Sequence, residues 1–123
     1  TLSADTLFAF DKAGLADIKP DGRGQLDALA AKLNAPGAQA GHVHVIGYTD
    51  RLGSAASNRK LSERRAATVR DYLVGKGVAA DRIDAEGRGS ADPVKTCNGR
   101  KRAELIACLA PNRRVVVEVQ GTR

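Results

Sequence analysis

The chain has 123 residues, 42% of them hydrophobic, which is long enough for one core and too apolar for a disordered segment. No apolar run approaches the roughly 18 residues of a membrane-spanning helix, and no signal peptide heads the chain. The net charge of +6 invites a nucleic-acid reading, but the basic residues are spread along the chain and aromatics make up only 3%, so there is no stacking surface for bases and no nucleic-acid partner is expected.

In chain order, Thr1 to Phe10 alternates apolar and polar residues around Leu2, Ala4, Leu7 and Phe8 and reads as a first strand. Asp11 to Gly24 is rich in turn formers, with room for a short helical turn. Leu26, Leu29 and Leu33 then fall at helical spacing, in a helix expected to start near Pro20 or Asp21 and to end before Pro36-Gly37. His42 to Tyr48 is β-branched and, with neutral histidines, uncharged: a buried strand. A long helix over about Ala55–Lys76 follows, with Ser54 or Ser57 as N-cap and Gly75 or Gly77 at its close. Ile83 to Arg88 reads as a strand, Ser90 to Asn98 as a loop, Arg100 to Leu109 as a short helix and Arg113 to Val119 as a final strand. This order predicts a single α/β domain over 1–123, an α+β two-layer sandwich with helices on one face of a mixed sheet.

The long helix carries an anomaly. Leu61, Val69, Tyr72 and Leu73 mark an inward face, and Arg65 stands in the middle of it, with Asn58 on the same line. An inward guanidinium must be paired or must line a water-filled cleft. Asp50, just past the carboxyl end of the His42–Tyr48 strand, lies where open α/β sheets build ligand sites. Spacing alone leaves two readings open, an ion pair that ties strand to helix and a ligand site. No catalytic constellation competes: His42 and His44 sit within one predicted strand, and no acid or nucleophile lies near them in sequence. No enzyme activity, cofactor or metal site is expected. Cys97 and Cys108 lack the companions of a zinc set. They are either two reduced core thiols or one local bridge, the latter suiting an oxidising compartment.

Three ordered motifs bring these residues together: Thr49-Asp50-Arg51-Leu52-Gly53-Ser54, then Asn58 with Leu61-Ser62, Arg65-Ala66, Val69 and Leu73, then Asn112-Arg113-Arg114-Val115. In type and spacing they resemble the OmpA-like peptidoglycan-binding domain, over nearly the whole chain from Phe8-Ala9-Phe10-Asp11 onward. The resemblance implies a βαβαβ core and a non-catalytic site for the meso-diaminopimelate peptide stem of peptidoglycan. Asp50 and Arg65 would be its principal contacts, and Asn58, Thr49, Asp11 and Arg113 further ones. It also implies the periplasm, a Cys97–Cys108 disulfide in a late insertion, and a longer protein held at the outer membrane of a Gram-negative cell by a segment outside this chain. The basic surplus would favour approach to a carboxylate-rich wall. Within the family the alternatives are a peptidoglycan-associated lipoprotein or a motor-stator domain. Outside it, the alternative is a protein-interaction module using the Ser90–Pro111 loop.

Overall fold

The computed structural model describes residues 1–37 and 41–120. Among these, the chain forms β1 (Leu2–Ser3), α1 (Ala4–Leu7), α2 (Pro20–Leu33), β2 (His42–Tyr48), α3 (Ala55–Gly75), β3 (Ile83–Gly87), α4 (Arg102–Cys108) and β4 (Arg114–Gln120), with short 3-10 turns between some of them. The strands make one mixed sheet in the order β1-β4-β2-β3. β2 runs parallel to β3, from Val43 against Ile83 to Gly47 against Gly87, and antiparallel to β4, from His42 against Gln120 to Tyr48 against Arg114. Parallel pairing of β2 and β3 requires a crossover, and α3 is that crossover.

The predicted first strand, Thr1 to Phe10, gives way after two paired residues to a helical turn over Ala4–Leu7. Only Leu2 and Ser3 pair, with Val115 and Arg114. The Ser3 hydroxyl then accepts from the Thr6 N–H and caps a helical turn over Ala4–Leu7. Ala4, Leu7 and Phe8 have the i, i+3, i+4 spacing of one helical face, and all three are buried. The other elements fall within a few residues of their expected bounds. Ser54, rather than Ser57, caps α3, its hydroxyl accepting from the Ser57 N–H at 3.1 Å.

The core lies between one sheet face and helices α1 to α3. Val43 and Val45 of β2, Ile83 of β3 and Val115 of β4 pack with Leu7, Leu26, Leu33, Ala66, Val69 and Leu73. Burial alternates over the first half of β2, with His42 and His44 on the other face, and from Val45 to Tyr48 every residue is buried. The face of α3 that meets the sheet comprises Ser62, Ala66, Val69 and Leu73, all buried, whereas Leu61 is only partly so.

Two glycines allow α3 to lie this close. A Cβ on Gly47 would stand 2.3 Å from the Ser62 carbonyl oxygen, and one on Gly87 would stand 2.2 Å from the Glu63 backbone nitrogen. The pair is in register across β2 and β3, so both strands lack a side chain where the helix crosses. The Ser62 hydroxyl completes the contact, donating to the Arg59 carbonyl and accepting from the Gly89 N–H at 2.9 Å. This close approach fixes the first half of α3 beside the carboxyl end of β2. From there Asn58 reaches the strand-end loop, and Arg65 reaches the Lys12 carbonyl on the other side of the cleft.

Candidate functional site

β2 ends at Tyr48, and the chain turns through Thr49 and Asp50 into the loop before α3. The turn is built from its own polar groups. Asp50 Oδ1 accepts from the Leu52 N–H at 3.0 Å, the Thr49 hydroxyl donates to the Asp50 carbonyl, and the Thr49 N–H donates to the Gly89 carbonyl. The Asn58 side-chain amide donates to the carbonyls of both Asp50 and Leu52, at 3.2 and 3.0 Å. Asn58 therefore shapes the loop that carries Asp50.

Asp50 is 8% exposed, and its ion-pair partner is Arg113, whose Nη1–H donates to Oδ2 at 2.7 Å. The same guanidinium donates through Nε and Nη2 to Asp5 of α1. Arg113 thus bridges two carboxylates, and these hydrogen bonds, Asp5 first, raise its pKa above the ordinary arginine value.

Arg65 is 4% exposed. Its Nε–H donates to the Lys12 carbonyl at 2.9 Å, and its guanidinium carbon lies 5.3 Å from the centre of the Phe8 ring. Among the described residues its two terminal amino groups have no hydrogen-bond acceptor. Burial pulls its pKa down; Asp5, Asp11 and Asp50 oppose that shift and Arg113 adds to it. Arginine stays protonated through such a shift. Asp11 holds a left-handed backbone, φ 58°, which aspartate tolerates better than most residues.

All six residues singled out from the sequence, Thr49, Asp50, Asn58, Arg65, Asp11 and Arg113, line one cleft of about 370 Å³. Three carboxylates (Asp5, Asp11, Asp50) and three guanidiniums (Arg65, Arg102, Arg113) face it. It is formally neutral, yet rich in both charges. Leu52, Phe10, Leu61 and Ile106 add apolar wall.

Sequence reasoning missed Asp5, Arg102 and Ile106. Asp5 lies in the segment read as a strand. Arg102 and Ile106 come from α4 in the Ser90–Pro111 segment, which Cys97 and Cys108 staple with a disulfide, their Cα atoms 6.2 Å apart. The Asn112-Arg113-Arg114 motif divides its labour. Arg113 serves the cleft. The Asn112 side chain accepts from the N–H groups of Val94 and Lys95 and donates to the Lys95 carbonyl. Arg114 stacks on Tyr48, 3.8 Å from its ring centre, and donates to the Asp92 carbonyl. That segment is thereby fastened to the end of the sheet.

A neutral cleft with separated charges can hold a zwitterion: carboxylates accept from an ammonium, and a guanidinium takes a carboxylate in two-pronged fashion. A model of the OmpA family matches residues 7–107. The chain is 52% identical over 124 residues to outer membrane protein A of Escherichia fergusonii, an alignment covering 98% of this chain and 50% of that protein. The chain spans only 34% to 50% of the length of the first curated relatives it matches. Among solved structures it is similar to the peptidoglycan-associated lipoprotein from Burkholderia pseudomallei, at 27% identity and TM-score 0.76, covering 98% of this chain and 91% of that one. It is also similar to the cell wall anchor of the T6SS from Pseudomonas aeruginosa, at 29% identity and TM-score 0.75, covering 98% and 78%. The family match covers most of the chain, including the strand-end turn and the α3 residues of the cleft, and the chain belongs to the OmpA family.

Proposed function

We propose that this chain binds the peptide stem of peptidoglycan non-covalently, by the free zwitterionic end of meso-diaminopimelate. In the full-length protein it would tie the outer membrane to the cell wall from the periplasm. The observation that carries this reading is Arg65: a guanidinium buried in the cleft wall whose terminal amino groups lack an acceptor among the described residues. In this reading the ligand carboxylate fills that place. The ligand ammonium joins Arg113 at Asp50, whose two oxygens each accept one protein hydrogen bond and have capacity for more. Thr49 and Asn58 hold the Asp50 loop in shape, and Asp5 and Asp11 balance the cationic side of the cleft. Similarity to a peptidoglycan-associated lipoprotein and to a cell wall anchor supports the ligand class, and similarity to outer membrane protein A supports the compartment.

The role is non-catalytic. The chain has two histidines, and both take up carboxylates on the sheet face away from the core, His42 with Asp84 and His44 with Asp84 and Glu86. The test is a pull-down with purified sacculi. The protein should sediment with them and be released by added meso-diaminopimelate. Sedimentation that free diaminopimelate leaves unchanged would refute the proposed site.

A further inference from the structure

The cleft holds more charge than one zwitterionic end can use. Of its three guanidiniums, Arg113 is taken by Asp5 and Asp50, and Arg65 has its Nε on the Lys12 carbonyl. Arg102 is different. It is exposed, it lines the cleft, and among the described residues it has neither a hydrogen bond nor an ion pair. It opens α4, and Ile106, four residues on and so on the same helix face, lines the same cleft.

This wall is fastened at several points. The disulfide joins Cys108, the last residue of α4, to Cys97. Arg51, in the loop after Asp50, donates to the Cys97 carbonyl at 3.1 Å. Asn112 and Arg114 hold the preceding loop through Val94, Lys95 and Asp92. Such anchoring places a free cation and an apolar side chain at a set position against the cleft, the arrangement of a preorganised contact.

We propose that Arg102 and Ile106 form a second subsite, which takes a further free carboxylate of the bound peptide, on the residue adjoining the zwitterionic one. This inference rests on the peptidoglycan reading above. The chemistry of the stem offers such a group: a γ-linked glutamyl residue beside diaminopimelate keeps its α-carboxylate free. Arg102 would pair with that carboxylate, and Ile106 would cover methylene groups.

The test uses three ligands in calorimetry: free meso-diaminopimelate, the tripeptide L-alanyl-γ-D-glutamyl-meso-diaminopimelate, and the same tripeptide with the glutamyl α-carboxylate amidated. The wild-type protein should bind the acidic tripeptide about fivefold more tightly than its amidated form, the worth of one partly exposed charge pair. Arg102→Gln should erase that preference and leave the affinity for free diaminopimelate unchanged. Arg102→Lys should restore part of it. Equal wild-type affinity for the two tripeptides would overturn the subsite while leaving the diaminopimelate site intact. So would an Arg102→Gln variant that keeps the preference. Failure of the wild type to bind free diaminopimelate as well would overturn the underlying reading.

Discussion

Replacing Arg65 by alanine removes the cation that the ligand carboxylate would meet and tests whether Arg65 serves ligand or fold. In the fold, Arg65 makes one hydrogen bond, to the Lys12 carbonyl, and one ring contact, with Phe8. Losing the first costs about 1 kcal/mol, and losing the second costs about 1–2 kcal/mol. Two terms offset this loss. The mutant no longer desolvates a guanidinium that is 4% exposed, and alanine is the better helix former within α3. The net loss should stay within about 2 kcal/mol, and the melting midpoint should fall by less than about 10 °C. Binding should suffer far more. A charged, hydrogen-bonded contact removed from a buried site costs about 2–5 kcal/mol, roughly 30-fold in Kd at the least. Calorimetry with meso-diaminopimelate reads the affinity, and circular dichroism reads the fold. Arg64→Ala, one residue earlier and exposed, is the control and should bind as wild type. Arg70 would not serve, since its guanidinium donates to the Ile83 and Ala80 carbonyls and ties α3 to the start of β3. Wild-type affinity in a natively folded Arg65→Ala protein would refute the reasoning.

Three further outcomes follow from the fold. Gly87→Ala forces a methyl group to within 2.2 Å of the Glu63 backbone nitrogen and should destabilise by about 2 kcal/mol or more, seen as a lower urea midpoint; an unchanged midpoint would mean that α3 does not rest on the sheet there. His44 hydrogen-bonds Asp84 through Nδ1 and Glu86 through Nε2, with Glu118 opposite it in register; both partners are acceptors, which favours the imidazolium, and Asp84, then Glu86, raise its pKa above the ordinary value of about 6.5. Its contribution to stability is therefore complete below about pH 6.5 and lost as pH rises through the raised folded value, and His44→Gln should flatten that decline in urea titrations between pH 6 and 9; equal slopes in both proteins would refute the pairing. The Cys97–Cys108 bridge closes a short loop and should contribute about 2–3 kcal/mol, yet reduction should leave a folded protein, because Asn112 and Arg114 still hold the segment; two free thiols in natively oxidised protein would exclude the bridge.

What could be read from the sequence follows from the range of the interactions. The bounds of β2 and the start of α3 are local, set by β-branched residues and by the Ser54 cap, and both fall where residue types place them. Arg65 was legible because a charge interrupts an apolar stripe. The partner of Asp50 was not settled by that pattern, since Arg113 lies 63 residues away and only the antiparallel pairing of β2 with β4 brings it to the same sheet end. Asp5, 108 residues from Arg113, was hidden further by reading Ala4–Leu7 as strand, although the 4, 7, 8 spacing is helical. Arg102 and Ile106 sit on a helix without buried residues, so no core pattern announces their side of the cleft.

The central claim is that this cleft recognises a free zwitterionic end, and calorimetry of wild-type protein with three stem peptides tests it most directly. One carries free meso-diaminopimelate, one carries diaminopimelate with its side-chain-terminal carboxylate amidated, and one carries lysine in its place. Amidation removes the charge that Arg65 would clamp, and lysine lacks that carboxylate altogether. Tight binding of the first, with both others weakened at least 30-fold, is the predicted result. Equal affinity for all three would contradict the assignment of Asp50 and Arg65 to ligand.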